Sequence, residues 1–128
     1  DMTWQFRMKP EERGVEQYAA RLDQLVRLLK EKSDAQLIWA TTTPWPDNYA
    51  YFEKRFGRKL LYPEKEEREW LDAALQVMKK HDIPVNDLHA LLKADLEKYQ
   101  KPEDVHFNKE GSIAMAKQIA EVVRPYID

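Results

Sequence analysis

Only two segments of this chain have the composition of a β-strand, and that number limits the folds it can adopt. Residues 36–43 are apolar and rich in β-branched side chains, which predicts a buried strand stopped by Pro44 and Pro46. Residues 83–86 predict a second, shorter strand. Strands that alternate with helices pair in parallel through right-handed crossovers. Two parallel strands cannot cover both faces and both edges of their own sheet, so we expect one side of a larger three-layer sandwich.

Four further segments have apolar residues at helical spacing, namely residues 10–32, 63–81, 87–96 and 110–127. The side chains predicted to face inward are Val15, Tyr18, Leu22, Leu25, Leu29, Trp70, Ala74, Val77, Met78, Leu88, Leu91, Leu92, Leu96, Ile113, Ala116, Ala120 and Val123. We expect Asp87 to cap the third helix and Asn108 the fourth, because short polar side chains accept hydrogen bonds from the free N–H groups of a first turn. This order of elements is typical of an α/β protein.

Composition excludes several classes of function. The chain, residues 1–128, has the length of a single domain or of a fragment of one. Lys and Arg number 21 against 23 Asp and Glu, so we expect no basic surface for nucleic acid. No apolar run approaches the roughly 20 residues that cross a bilayer, so we expect no membrane partner. Only three glycines occur and none forms a phosphate-binding loop, which argues against a nucleotide binder.

Residues 104–111, with the sequence DVHFNKEG, contain the pattern most typical of catalysis. Asp104 and His106 stand two positions apart at the predicted start of the last helix, and a histidine oriented by a carboxylate is the base half of a nucleophilic triad. Glu103 is a second candidate for the acid. The nucleophile half has no counterpart, since the only serines, Ser33 and Ser112, lie on or beside predicted helices.

The segment after the first predicted strand is the predicted binding surface. Thr43 and Trp45 leave the carboxyl end of that strand, where open α/β sheets bind ligands. The Trp45 ring is suited to contact a sugar or an acyl group, and Trp4 is a further candidate for lining the same cleft. His81 and His89 have no histidine or carboxylate partners at the spacing of metal ligands, so we expect neither a metal nor another cofactor.

Three stretches occur in an order that resembles a known family: residues 37–44 (LIWATTTP), 85–88 (VNDL) and 104–111 (DVHFNKEG). They resemble the C-terminal half of the SGNH/GDSL hydrolases, above all the bacterial branch with a TTTP strand end and a DVHF-x-x-EG final motif. The similarity covers essentially all 128 residues. It implies a flavodoxin-like three-layer α/β/α sandwich with parallel strands, a Ser-His-Asp site and ester substrates that are often acylated carbohydrates. A bacterial periplasmic or secreted location is implied as well.

In that family the serine and the oxyanion donors precede the residues matched here, and none of those blocks is present in the chain. The resemblance therefore implies that His106 and an acid serve a site whose nucleophile lies on a missing or separate polypeptide, and that the chain alone is inactive. The family's acid stands three positions before the histidine, where this chain has Glu103. Asp104 stands two before it, so both acids remain candidates. The alternative is a non-catalytic α/β interaction module that associates with itself through its uncovered sheet edge.

Overall fold

The computed structural model describes residues 14–45, 54, 57, 63–101 and 105–127, with residues 63–66 described by their backbone alone. This part of the chain is mostly helical. Its elements are α1 (Val15–Lys32), β1 (Trp39–Ala40), α2 (Pro63–Lys80), β2 (Val85–Asn86), α3 (Leu88–Lys93), α4 (Leu96–Tyr99), α5 (Lys109–Val123) and a 3-10 turn (Arg124–Tyr126). The third predicted helix is thus divided into α3 and α4. The predicted start of the first helix, at residue 10, lies outside the described residues.

The expected flavodoxin-like three-layer α/β/α sandwich is wrong, because the described residues form only two short parallel strands. The Trp39 N–H donates to the Pro84 carbonyl at 2.9 Å, and the Thr41 N–H donates to the Asn86 carbonyl at 3.0 Å. Pro84 has no N–H with which to extend the pairing on one side. On the other side, Asp87 already caps α3. Strands of two residues each cannot form the central layer of a sandwich.

The described chain divides into two compact units, and the first comprises Asp1–Trp39 and Arg68–Val85. Its core consists of Leu22, Val26, Ala74, Val77, Met78 and Ile83, with Tyr18, Ala19, Leu37 and Trp39 packed against it. The inner face predicted for α2 is therefore largely confirmed. The face predicted for α1 is partly wrong, since Leu25 is 48% exposed and Leu29 is 41% exposed. Val26, four residues after Leu22 on the same helix, is buried in place of these two leucines.

Asp23 connects α1 to the end of α2 within this first unit. Its carboxylate accepts a hydrogen bond from Lys80 Nζ at 2.7 Å, and it lies 2.7 Å from His81 Nε2 and 2.8 Å from Arg27 Nε. The bonds from the Lys80 ammonium and the His81 ring, with the charge of Arg27, lower the pKa of Asp23 to about 2. Lys30 Nζ also donates to the His81 carbonyl, at 2.5 Å. These contacts join α1 to the C-terminal end of α2.

We expect Asp23→Asn to destabilise the chain at neutral pH but not in strong acid. The folded-state pKa of about 2 lies below the ordinary 3.8. The contribution of the carboxylate is therefore complete above about pH 4 and disappears as the pH falls through about 2. Urea unfolding of both proteins at pH 7 and at pH 2 measures the difference. A difference in stability that is the same at both pH values would contradict this account.

The second unit comprises Ala40–Glu67 and Asn86–Asp128, and in it α3 and α4 both pack against α5. Leu88, Leu92 and Leu96 are buried, as predicted. The inner face predicted for α5 is largely wrong, since Ile113 is 45% exposed and the side chains at 116 and 120 are exposed as well, whereas Val123 is half-buried. Gln118 is half-buried instead, and its Nε2 donates to Asn86 Oδ1 at 2.7 Å. The side of α5 that faces β2 is therefore held partly by this hydrogen bond and not only by apolar contacts.

Candidate functional site

His106 lies in a loop between α4 and α5 that is closed at its base. Gln100 and Phe107 form an antiparallel bridge, and the Lys101 N–H donates to the His106 carbonyl at 3.0 Å. The backbone of His106 is therefore fixed, while the residue itself is exposed to solvent. His106 is therefore a solvent-exposed residue on a fixed backbone.

Asn108 holds the other end of this loop on α5. Its Oδ1 accepts from the Gly111 N–H at 2.9 Å, which confirms the predicted helix cap. Its backbone N–H donates to the Tyr99 carbonyl at 2.9 Å, and its Nδ2 donates to the Lys98 carbonyl at 2.6 Å. One side chain thus caps α5 and binds the end of α4, which places the start of α5 against α4.

Gly111 is required by this close approach. A Cβ atom added at Gly111 would lie 2.5 Å from the Tyr99 carbonyl oxygen and 3.1 Å from the Cβ atoms of Tyr99 and Phe107. A backbone oxygen cannot turn away as the end of a side chain can. The contact also explains why a helix-weakening residue stands in the first turn of α5.

We expect Gly111→Ala to destabilise the chain by about 1–3 kcal/mol, the usual cost of overpacking. In a helix, alanine is favoured over glycine by about 1 kcal/mol. A variant more stable than the parent chain would therefore mean that the atoms around the added methyl group move away from it at no cost. Chemical denaturation measures the change. Gly14→Ala is the matched control, because its methyl group would meet only the end of the Gln17 side chain. Equal stability of Gly111→Ala and the parent chain would contradict the steric argument.

Thr41 joins the end of β1 to the start of α3. Its hydroxyl donates to Asp87 Oδ1 at 3.1 Å and accepts from the His89 N–H at 2.8 Å. Asp87 Oδ1 also accepts from the Ala90 N–H at 2.9 Å, which confirms Asp87 as the cap of this helix. Two N–H groups in the first turn of α3 are thereby satisfied. Thr41 is 3% exposed, so this connection is internal to the second unit.

Glu67 forms a pair with His89 beside the same segment. Glu67 Oε1 accepts from the Trp45 N–H at 2.8 Å and lies 3.3 Å from His89 Nε2. The Glu67 side chain is 13% exposed and that of His89 is 17% exposed. Burial by itself would raise the pKa of Glu67, but the His89 ring, the Trp45 N–H and the charge of Lys93 together lower it. Glu67 is therefore a buried carboxylate held in its charged form by its neighbours.

A hydrogen bond from Gln100 Nε2 to the Pro44 carbonyl, at 3.3 Å, connects this segment to the loop that carries His106. Gln100 is 6% exposed and is also the residue that pairs with Phe107. The end of β1, the start of α3 and the base of the His106 loop therefore adjoin one another in the second unit.

The residues predicted to form the site have different surroundings. His106 is exposed, Thr43 is half-buried, and Trp45 is only 8% exposed, so its ring offers little surface to a ligand in this conformation. The predicted residues Glu103, Asp104 and Trp4 lie outside the described residues. The sequence patterns did not indicate Thr41, Glu67, His89 or Gln100. Their partners stand 22 to 56 positions away, a distance at which no local spacing could have indicated them.

Two further observations apply to the part of the chain that the structure describes. Within residues 14–45, 63–101 and 105–127, no group of three or more His, Cys, Asp or Glu side chains is placed to hold a metal ion. No helix in these ranges has both the length and the apolar character needed to cross a membrane.

Comparison with models of known protein families gave no match to this chain, and a search of curated proteins gave none either.

Proposed function

We propose that this chain provides the histidine base of an SGNH-type ester hydrolase site whose nucleophile is carried by another polypeptide. The hydrogen bond from Gln100 to the Pro44 carbonyl is the observation that supports this most. It holds the base of the His106 loop against the segment that leaves β1. A base held at a fixed place in this way is positioned as a triad base requires.

In this site His106 takes the proton of a serine hydroxyl as the hydroxyl attacks the ester carbonyl. It then returns that proton to the departing alcohol. Asp104 or Glu103, which precede it in the sequence, fixes the orientation and tautomer of the imidazole. Because His106 is exposed, a serine on a second polypeptide can reach it. The substrate is a small ester or an acylated carbohydrate.

The hydrogen bonds of the chain's own two serines support a nucleophile that another polypeptide carries. Ser33 Oγ accepts from the Ala35 N–H at 3.1 Å, and Ser112 Oγ donates to the Asn108 carbonyl at 2.9 Å. Both hydroxyls are hydrogen-bonded to nearby backbone, the usual use of serine at the ends of helices. A nucleophilic serine instead needs a base within hydrogen-bond reach.

Reconstitution tests the proposal. The chain is assayed on p-nitrophenyl acetate alone and after co-expression with a polypeptide that carries a Gly-Asp-Ser block of the family. We expect no turnover above background from either polypeptide alone, and turnover from the two together, with the serine labelled by a fluorophosphonate probe only in the complex. Turnover by the isolated chain that survives His106→Ala would overturn the proposal.

A second candidate function is a self-associating interaction module, favoured by exposed apolar side chains in both units. Leu25, Leu28 and Leu29 are 41–51% exposed on α1, and Ile113 and Ile119 are 42–45% exposed on α5. An open groove lies beside Ile113. Exposed apolar side chains grouped on one helix face, as Leu25, Leu28 and Leu29 are by their spacing, often mark an interaction site. Molar mass in solution, measured together with the ester assay, separates the two functions. An oligomer that no nucleophile polypeptide activates would favour the module.

A further inference from the structure

One peptide group in the second unit is held from both sides. The carbonyl of Pro44 and the N–H of Trp45 belong to the same peptide bond. The carbonyl accepts from Gln100 Nε2 at 3.3 Å, and the N–H donates to Glu67 Oε1 at 2.8 Å. A trans peptide is planar and directs its C=O and N–H to opposite sides. Any rotation that lengthens one of these hydrogen bonds therefore also disturbs the other.

The hydrogen bond to Glu67 is the stronger of the two, because its acceptor is charged. Glu67 belongs to the early part of α2, so its backbone is fixed by a helix. Gln100, by contrast, forms the base of the loop that carries His106. Glu67 therefore fixes the orientation of this peptide group, and the position of Gln100 depends on that orientation.

His89 lies beside the Glu67 carboxylate and helps to lower the pKa of that group. Its Nε2 is fully enclosed and makes no well-aligned hydrogen bond to a described residue, although Glu67 Oε1 lies 3.3 Å away. A protonated ring at that distance forms an ion pair with the carboxylate. The other charged groups here are Lys93, which attracts Glu67, and Asp87, which is bonded to Thr41 and Ala90.

We infer that Glu67 and His89 are a positioning pair that sets the place of the His106 loop through the Pro44–Trp45 peptide group. The inference rests on the proposed function only in taking the His106 loop to be part of a catalytic site. The pair does not touch the reacting atoms. It acts through Trp45 and Gln100.

Nuclear magnetic resonance of the whole ¹⁵N-labelled chain tests this inference through three signals: the backbone amide of Trp45, the side-chain amide of Gln100 and the ring C–H groups of His106. In Glu67→Ala we expect the Trp45 amide proton to move upfield, because it loses a charged acceptor. The signals of Gln100 and His106 should move with it. Asp72→Ala, which removes an exposed carboxylate from the same helix, should leave all three signals in place.

Glu67→Gln separates position from charge. Its amide oxygen can still accept the Trp45 N–H, so the signals of Gln100 and His106 should stay near those of the parent chain. In His89→Gln the Trp45 amide should move, because Glu67 loses the ring that lies 3.3 Å from its Oε1, and the signals of Gln100 and His106 should move with it. His81→Gln should leave all three signals in place. Because these comparisons use conservative variants, they decide the matter even if Glu67→Ala unfolds.

The inference is overturned if Trp45 moves in Glu67→Ala while Gln100 and His106 do not, or if the Trp45 amide stays in place in His89→Gln. None of these signals depends on ester turnover. A failed positioning pair therefore leaves the role of His106 untouched, and a failed reconstitution assay leaves the positioning pair untouched.

Discussion

Under the proposed function, His106→Ala is expected to lower kcat/KM of the reconstituted complex for an ester by about 10³-fold or more, the usual cost of losing a triad base. Without the imidazole, the serine hydroxyl has no group to take its proton, and the alcohol leaves without protonation. The loss should appear mainly in kcat, since His106 acts on the reacting atoms and not on the distant parts of the substrate. Steady-state kinetics on p-nitrophenyl acetate measure it.

His81→Gln is the histidine control for that experiment, because the His81 ring is bound to Asp23 in the first unit. Its turnover should equal that of the parent complex once folding is verified by circular dichroism. Glu103→Gln and Asp104→Asn in the same assay identify the acid, as the true partner of His106 will show the larger loss. Equal activity of His106→Ala and the parent complex would remove His106 from the mechanism.

Leu92→Ala is expected to destabilise the chain by about 2–5 kcal/mol, the range for a buried leucine cut back to alanine. Leu92 is 0% exposed and lies on α3, which packs against α5 in the second unit. The substitution removes apolar atoms from the interior and leaves a cavity that the rigid helices cannot fully close. Because α3 also carries His89, the Trp45 amide should move in this variant as well. Urea unfolding gives the stability.

Leu25→Ala makes the same chemical change at a position that is 48% exposed. It removes little buried surface, and alanine slightly favours the helix, so its effect should stay within about 0.5 kcal/mol. The contrast between two leucines tests whether burial decides stability here. A loss at Leu25 as large as that at Leu92 would mean that the exposed face of α1 is covered in solution, which favours self-association.

Local features of this chain could be predicted from the sequence. The capping roles of Asp87 and Asn108 are confirmed, because each side chain acts on an N–H only three residues further along. The helices and the approximate places of both strands could be predicted for the same reason. Each follows from the spacing of neighbouring residues, and such spacing is fully visible in a sequence.

The fold class could not be predicted, and the predicted sandwich was wrong. Residues 36–43 have the composition of a long buried strand, but only Trp39–Ala40 pair, and Ala40 is exposed. Strand composition records how well side chains suit a sheet, whereas the length of a ladder depends on the partner strand. Here the partner begins after Pro84, which has no N–H to donate.

By itself, then, the sequence determined the helices, their caps and the motif at His106, since all of these depend on residues close together in the chain. The tertiary structure alone decided how far the sheet extends, which faces of α1 and α5 are buried, and which polar groups meet. Glu67 reaches Trp45 across 22 positions, and Gln100 reaches Pro44 across 56. Such partners are brought together only by packing, because a hydrogen bond depends on distance in space and not on separation along the chain.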